Sequence, residues 1–287
     1  MNQARDRSYK LTDKEFKFIC QFVYQISGIV LNNSKREMVY RRLTRIVRER
    51  KLSTFSEYYQ LLKDNPEQEE SYFINAITTN LTSFFRENHH FDFLLKTELP
   101  DLIVKNRVDK KIRIWSSASS TGEEPYSIAT TVYEALKSYL SSWDIKILAT
   151  DIDSAVLAKG KAGVYDESRI EDIPAKYKKH YFTKGVGNNA NKVKVDDKLQ
   201  KLLTFKQLNL LHDWPMKGQF DIIFCRNVII YFDKETQQEL FERYYEMLVP
   251  GGLLILGHSE NLGGFQKYFE NIGRTIFRKP ILNKDVG

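Results

Sequence analysis

Residues Lys111 to Ala129, "KIRIWSSASSTGEEPYSIA", decide how the chain is read. Ile112, Ile114 and Trp115 form a short β-compatible run, small residues follow, and from about Glu123 to Tyr139 the pattern is helical. A strand that passes through a tight loop into a helix is the first half of a βαβ unit. The same grammar continues downstream in "IKILAT" (145–150), a helix from about Ser154, "LLTFKQLNL" (202–210), "FDIIFCRN" (220–227), a helix from about Lys234 to Leu248, and "GLLILGH" (252–258). This alternation predicts a parallel sheet covered on both faces, with ligands bound beyond the carboxyl ends of its strands.

Upstream the chain reads as helical. "TDKEFKFICQFVYQISGI" (12–29) opens with Thr12 as an N-cap, has Glu15 at capping-box spacing and stops near Gly28. A second helix begins at about Ser34, with Val39, Leu43, Ile46 and Val47 on one side and Arg41, Arg45 and Arg48 on the other. "FSEYYQLLKD" (55–64) and "EQEESYFINAITTNL" (67–81) are two more helical stretches. The formal net charge is +7, and Lys35 to Lys51 alone, with eight basic and two acidic residues, accounts for +6. The basic ridge is either a solvated face or, since arginine outnumbers lysine there and acids at i±4 are scarce, a docking face for an acidic partner, and the two readings stand level.

Between "KAGVYDESRI" (161–170) and "VDDKLQKLL" (195–203) the alternation breaks. There "YFTKGVGNNANKVKV" (181–195) places Gly185, Gly187, Asn188 and Asn189 between β-compatible flanks, the mark of a small hairpin insertion. No run approaches about 18 apolar residues, and the start "MNQARDRSYKLTDKEF" is too polar for a secretory signal, so a cytoplasmic protein without membrane insertion is expected. Cys20 and Cys225 lie in apolar patterns and read as core thiols, not as a disulfide or a thiolate metal site.

The strand ends carry the chemistry. After the first strand, Ala118, Ser119, Ser120 and Gly122 allow close backbone approach to a ligand at a helix N-terminus, yet neither G-x-G-x-x-G nor G-x-x-x-x-G-K-[ST] is present. Glu123 and Glu124 compensate the helix dipole or, since they would repel a pyrophosphate, suit a cationic cofactor. Asp151 stands where nucleotide sites place the acid for ribose hydroxyls, while Asp153 suits the N-cap of the next helix. Asn209 and Asn227 follow two further strands and offer amides to the same crevice. Ribose, adenine, a zwitterionic amino acid and a sulfonium, without phosphate, describe S-adenosylmethionine.

"TTNLTSFFRENHHF" (78–91), "WSSASSTGEEPYSIA", "ATDID", "LNLL", "FDIIFCRNVIIYFDK", "PGGLLILGHSEN" and "GIVLNNSKREMVYRRL" together resemble the chemotaxis receptor methyltransferases, in family order from about Leu11 to Arg278. The resemblance implies an α/β fold: a Rossmann-type methyltransferase domain with a small inserted β-subdomain, preceded by a small all-α domain. It divides the chain into 1–78, an all-helical substrate-facing domain; 79–106, a linker contributing to the site; and 107–287, the methyltransferase domain, with its insertion at about 164–200. It implies transfer of a methyl group from S-adenosylmethionine to glutamates of bacterial chemoreceptors, with S-adenosylhomocysteine as the product. Carried over by motif, the cofactor residues are Asn80, Thr82, Arg86, Glu124 ahead of Glu123, Asp151, Asn209, Leu210, Asn227 and Val228. Arg86 is also the expected catalytic residue, holding the substrate carboxylate, with Tyr231 near the transfer site. Ser117 and Ser119 stand where the family commonly has alanine, a change too small to affect binding.

By the same resemblance Arg41, Arg45 and Arg48 face the acidic, helical cytoplasmic region of a receptor, and the insertion resembles a subdomain that holds a receptor C-terminal peptide as an added strand. Phe84 and Phe85 are expected to pack an interdomain seam, with stacking on adenine as the alternative. His89 and His90 lack metal-site partners and read as core or supporting residues, so no metal is expected; His258 is either a donor near the site or structural. A nucleic-acid methyltransferase would also suit a cationic helix, but neither [DN]-P-P-[YFW] nor a Pro-Cys nucleophile occurs, so no nucleic-acid partner is expected. A non-enzymatic cofactor-binding regulator is the other alternative, opposed by the joint presence of Arg86, Asp151, Asn209 and Asn227.

Overall fold

The computed structural model describes residues 9–281; the two chain ends, including the polar start discussed above, lie outside the described residues. The chain forms two compact units, one of residues 1–79 with Tyr231–Asp233, the other of residues 80–230 and 234–287.

The first unit contains α1 (Asp13–Ser27), α2 (Arg36–Glu49), α3 (Phe55–Asp64) and α4 (Pro66–Ile77). Thr12 caps α1: the Glu15 N–H donates to its hydroxyl at 3.3 Å while the Thr12 N–H donates back to the Glu15 carboxylate at 2.7 Å. Gly28 ends the helix at φ 67°, a left-handed position that costs glycine little. Asn32 caps the 3₁₀ turn Asn33–Lys35 that leads into α2. Val39, Leu43, Ile46 and Val47 are fully buried or nearly so, against α1, α3 and α4. Pro66 starts α4, where its missing N–H would have had no partner. The helix stops at Ile77, short of the 67–81 span expected from sequence, and residues 78–82 are irregular.

The second unit is built on a seven-stranded sheet of β1 (Lys111–Ser116), β2 (Asp144–Asp151), β6 (Leu203–Gln207), β7 (Phe220–Cys225), β8 (Leu248–Leu256), β9 (Glu270–Gly273) and β10 (Ile276–Arg278), in the order β6-β2-β1-β7-β8-β10-β9. The first five are mutually parallel, as expected; β10 runs antiparallel to β8, and β9 antiparallel to β10. The sheet is therefore mixed, a correction to the all-parallel expectation. The closing hairpin turns through Arg274 and Thr275 at φ 51° and 62°. Such a turn normally announces itself by Asn-Gly, which is absent here. The order reverses between β1 and β7, whose carboxyl ends are Ser116 and Cys225, the place at which sheets of this kind bind ligands.

Helices α5 (His89–Phe93), α6 (Leu99–Lys105), α7 (Glu123–Leu136), α8 (Ser154–Ala162), α9 (Ala175–Tyr181), α10 (Asp197–Gln200) and α11 (Lys234–Met247) complete the described residues, with a π-helical stretch at Leu94–Glu98 between α5 and α6. α7 ends at Leu136, three residues before the expected limit. A separate antiparallel sheet, β3 (Val164–Asp166), β5 (Lys192–Val195) and β4 (Phe182–Lys184), forms the insertion. The Gly and Asn signal marks the β4–β5 hairpin; β3, three residues long and directly after the Gly163 helix stop, is too short to show a period.

Phe84 packs edge-on against Tyr165 and Phe182, and Phe85 against Phe91 and Tyr177. These contacts are internal to the second unit, where the ring pair anchors the segment before α5 to the inserted sheet and α9. The expectation of an interdomain seam is corrected accordingly. Cys225 is buried in β7, and burial pushes its thiol well above the ordinary range; Cys20 is partly buried against the helical core.

Candidate functional site

Five segments of the second unit supply candidate residues: 80–90, the β1–α7 loop, the end of β2, residues 208–210 after β6, and the turn after β7. Asp151 closes β2 and is 8 % exposed. One oxygen accepts from the Ser120 N–H at 2.8 Å and the other from the Asp153 N–H at 3.0 Å. Burial raises its pKa to about 6 against the pull of these N–H groups, and the neighbouring Asp153 carboxylate adds to the rise. Asp153 caps α8 as expected, accepting from the Ala155 and Val156 N–H groups. Ser120, at φ 47°, ties the loop to the first candidate segment by donating its hydroxyl to the Asn80 carbonyl at 2.9 Å.

The carried-over residues divide by what they already touch. The Asn80 amide donates to Asp153 at 2.8 Å, and the Thr82 carbonyl accepts from Arg169 at 2.6 Å. Asn209 accepts from the Leu211 N–H at 3.0 Å, as a turn residue does, and the Leu210 carbonyl accepts from Trp214 and Arg243. Glu124 is buried, with Ser116 Oγ donating to one oxygen at 2.7 Å and Arg226 Nη1 to the other at 2.9 Å. Burial raises its pKa, opposed by the Arg226 charge and both hydrogen bonds. Glu123 is fully buried and pairs with Arg169 and the Thr121 hydroxyl. Asn227 stands at φ 57° with a half-buried side chain, and Val228 follows half-buried. Arg86 is half-buried; its Nη1 donates to the Leu81 carbonyl at 3.0 Å, and no carboxylate among the described residues pairs with its guanidinium.

Several residues organise this crest without having been singled out in the sequence. Arg226 is 5 % exposed and bridges Glu124 and Glu87, the latter at 3.2 Å, while donating to the Arg86 carbonyl. Glu260 accepts from the N–H groups of Asn227, Ile229 and Gly257 at 2.7 to 2.9 Å and so fixes the turn after β7. Gly257 is required there, since a Cβ would lie 2.5 Å from the Asn227 amide. The available signals were position alone: Arg226 precedes Asn227 at a strand end, and Glu260 follows the end of β8. His90 is buried, with Nε2 3.0 Å from the Arg274 carbonyl and 3.1 Å from the Thr275 hydroxyl; burial and the Arg226 charge lower its pKa to about 3. His258 contributes its backbone N–H, which donates to Glu87 at 3.0 Å, and its side chain is exposed.

Two features fit a bound S-adenosylmethionine. Among the described residues, Ser119 Oγ, in the loop after β1, is buried with no hydrogen-bond partner, and the half-buried Asn227 side chain, in the turn after β7, makes no hydrogen bond. With the ionisable Asp151 they offer a hydroxyl, an amide and a carboxylate, groups able to hydrogen-bond a nucleoside or an amino acid moiety. No group of three or more metal-ligating side chains occurs among the described residues, and no helix among them is long and apolar enough to cross a membrane.

In the first unit, Arg41, Arg45 and Arg48 lie exposed on α2 as the helical period predicts. The expected scarcity of acids at i±4 is corrected. Arg41 stands 3.7 Å from Glu37 and Arg45 2.7 Å from Glu49, while Arg48 lies over the Tyr9 ring at 6.0 Å. Exposed pairs of this kind add little to stability and exchange readily for another carboxylate. Arg42, on the inner side, donates to the Thr78 carbonyl at 2.8 Å. Tyr231 ends a 3₁₀ turn, and its carbonyl accepts from the Val30 N–H at 2.8 Å within the first unit.

Comparison with known proteins gives a consistent result. The family described as "CheR methyltransferase, all-alpha domain" matches residues 14–78, and "CheR methyltransferase, SAM binding domain" matches residues 80–278. A probable chemotaxis protein methyltransferase of Rhizobium etli is 44% identical over 89% of this chain and 96% of that protein. Chemotaxis protein methyltransferase 2 of Pseudomonas aeruginosa is 44% identical over 95% of each, and the chemotaxis protein methyltransferase of Escherichia coli 42% identical over 96% of this chain and 93% of its own length.

Proposed function

Because the chain belongs to the CheR methyltransferase family, matched at residues 14–78 and 80–278, we propose that it methylates glutamate side chains of bacterial chemoreceptors in chemotactic adaptation, forming methyl esters in the cytoplasm. Its cofactor is S-adenosylmethionine. The observation that carries the ester chemistry is Arg86: a half-buried guanidinium beside the crest that no carboxylate of the described protein occupies. A planar fork of donors suits an incoming carboxylate in a way lysine cannot copy.

Bound S-adenosylmethionine supplies an electrophilic methyl group and leaves as S-adenosylhomocysteine. A glutamate acceptor, with a pKa near about 4.3, arrives ionised, so the protein needs no general base. Its task is alignment and exclusion of water, and orientation of a near-attack geometry can be worth about 7–11 kcal/mol. Arg86 aims the acceptor oxygen, with Tyr231 near the transfer point. Asp151 accepts from ribose hydroxyls, and Asn227 and Val228, Asn209 and Leu210, Asn80, Thr82 and Glu124 shape the rest of the cofactor site.

Residues 1–78 form the substrate-facing domain in this reading, 79–106 a linker that contributes to the site, and 107–287 the methyltransferase domain with its insertion at about 164–200. Arg41, Arg45 and Arg48 meet the acidic helical region of the receptor. The inserted sheet, with Lys184 on β4 and Lys192 and Lys194 on β5, offers an edge to a receptor C-terminal peptide. The test is incubation with labelled cofactor and receptor fragments. Label released by alkali as methanol supports a glutamyl ester; alkali-stable label defeats it. Arg86→Ala is expected to remove transfer far more than it weakens cofactor binding, and unchanged turnover would refute the role assigned to Arg86.

A further inference from the structure

Arg86 is carried by a turn whose backbone local sequence does not favour. Phe85 and Glu87, on either side of it, sit at φ 52° and 56°, a region that side chains other than glycine and asparagine seldom adopt. Such a conformation persists only where its surroundings over-determine it. Here the Phe85 N–H donates to Ser127 Oγ at 2.9 Å, and the Ser127 hydroxyl in turn donates to the Glu123 carbonyl at 2.7 Å. Glu87 accepts from the His258 N–H at 3.0 Å and pairs with Arg226 at 3.2 Å. Arg226 also donates to the Arg86 carbonyl.

Arg226 cannot itself meet a substrate carboxylate. Its side chain is 2 % exposed, Nη1 is held by Glu124 at 2.9 Å, and Nη2 is shared between Glu87 and the Arg86 carbonyl. Glu87 is similarly committed: burial pushes its pKa up, and the Arg226 charge together with the hydrogen bonds from His258 and Arg226 more than reverses this, leaving it lowered and the carboxylate ionised. The result is a buried ion network touching Arg86 only at its backbone, while the Arg86 guanidinium stays uncommitted to any carboxylate of the described residues.

We propose that Arg226 and Glu87 are positioning residues for methyl transfer, locking the strained turn so that the Arg86 guanidinium is aimed before the acceptor arrives. They act on the acceptor through Arg86, Arg226 in addition holding Glu124 of the proposed cofactor site, and the proposal rests on the reading of Arg86 as the group that holds the acceptor carboxylate. An arginine loses mobility on binding, and a turn that fixes its origin reduces that loss. Misplacement of a catalytic group by 1 Å costs on the order of a hundredfold in rate.

The experiment uses the full chain with a receptor fragment and measures kcat, KM, thermal unfolding and S-adenosylhomocysteine affinity by calorimetry. Arg226→Lys keeps the charge but loses the fork; Glu87→Gln keeps the acceptor for His258 but loses the charge. Each is expected to lower kcat by roughly ten- to hundredfold, and Glu87→Gln, which leaves the Arg226–Glu124 pair in place, to do so with cofactor affinity held within about threefold. In an Arg86→Ala background, followed to end point with labelled methyl groups, neither should lower the residual rate further. A further tenfold loss in that background, or an unchanged kcat in both single variants, overturns the proposal. If Arg226→Lys does not fold, Glu87→Gln carries the same cycle. Full turnover by Arg86→Ala alone would instead sink the underlying assignment of Arg86, and the two failures are thus distinguishable.

Discussion

On the proposed role of Asp151 as acceptor for the ribose hydroxyls, Asp151→Asn is expected to separate cofactor binding from folding in one substitution. The carboxylate is 8 % exposed, receives N–H groups from Ser120 and Asp153, and has a pKa raised to about 6 by burial, with Asp153 close by. Ribose hydroxyls need the ionised form as acceptor. Below that pKa each cofactor molecule must first expel a proton, so the apparent affinity falls by a factor of about 1 + 10^(6−pH): about twofold at pH 6 and about elevenfold at pH 5, near 1.4 kcal/mol. S-adenosylhomocysteine has no group of its own that titrates in this interval. Calorimetric titration from pH 5 to 8 should show that slope in the wild type and a weak, flat affinity in Asp151→Asn. Stability moves the other way. A folded pKa above the unfolded value of about 3.9 means that the stability linked to this group is fully present below pH 4 and is lost as pH rises through about 6. At neutral pH the ionised side chain therefore opposes folding by about 3 kcal/mol, an amount that Asn recovers only in part because it accepts one N–H in place of two. The variant should unfold at a temperature no lower than the wild type at pH 7.5 while binding cofactor worse. Equal pH profiles in the two proteins, or a loss of stability in the variant at pH 7.5, would refute the assignment of a strained, ligand-ready carboxylate.

Two further outcomes follow from the geometry. His90 has its pKa lowered to about 3 by burial and the Arg226 charge, so the unfolded chain takes up a proton below about pH 6.5 that the folded protein refuses; stability falls by up to about 1.4 kcal/mol per pH unit below that point, and His90→Gln should flatten this acid limb in urea unfolding at pH 5 to 7. Replacing Arg41, Arg45 and Arg48 by alanine should raise KM for a receptor fragment at low salt with kcat little changed, and the difference should shrink toward 0.5 M salt as the Debye length falls to a few Å; a salt-independent effect would point to a different contact.

Periodicity and capping made most of the scaffold legible. The Thr12–Glu15 box, the Asp153 cap and the alternation from Lys111 onward each write a local rule into the chain, and the folded protein obeys it. What stayed hidden depends on long-range contact. The β9–β10 hairpin uses Arg274 and Thr275 in left-handed conformation where a sequence reader looks for Asn-Gly, and tertiary context, including the Thr275 hydroxyl donating to the Leu256 carbonyl at 2.9 Å, supplies what glycine usually does. The ring pair Phe84 and Phe85 announces burial but not against what, because a side chain's partner is a property of the fold. Arg226 was invisible for the same reason: an arginine beside a strand-end asparagine looks like a surface charge until two carboxylates converge on it.

The distribution of backbone strain ties these observations together. Among the described residues eight other than glycine have positive φ, and four of them, Phe85, Glu87, Ser120 and Asn227, lie in the loops that shape the crest. Each is restrained by a group that would be costly to bury without this duty: Asp151 holds the Ser120 N–H, Glu260 the Asn227 N–H, and Arg226 the turn at Arg86 and Glu87. Burial raises the pKa of Asp151 and Glu260 alike, the sign of charges kept in an environment that disfavours them. A core built for stability alone would replace such groups with apolar ones, since breaking a buried pair costs about 3–5 kcal/mol and exchanging it whole for hydrophobic residues often costs nothing. Their retention at the strand ends, with an unpartnered hydroxyl on Ser119 and a guanidinium on Arg86 left for something else to meet, is what a site prepared in advance of its ligands requires.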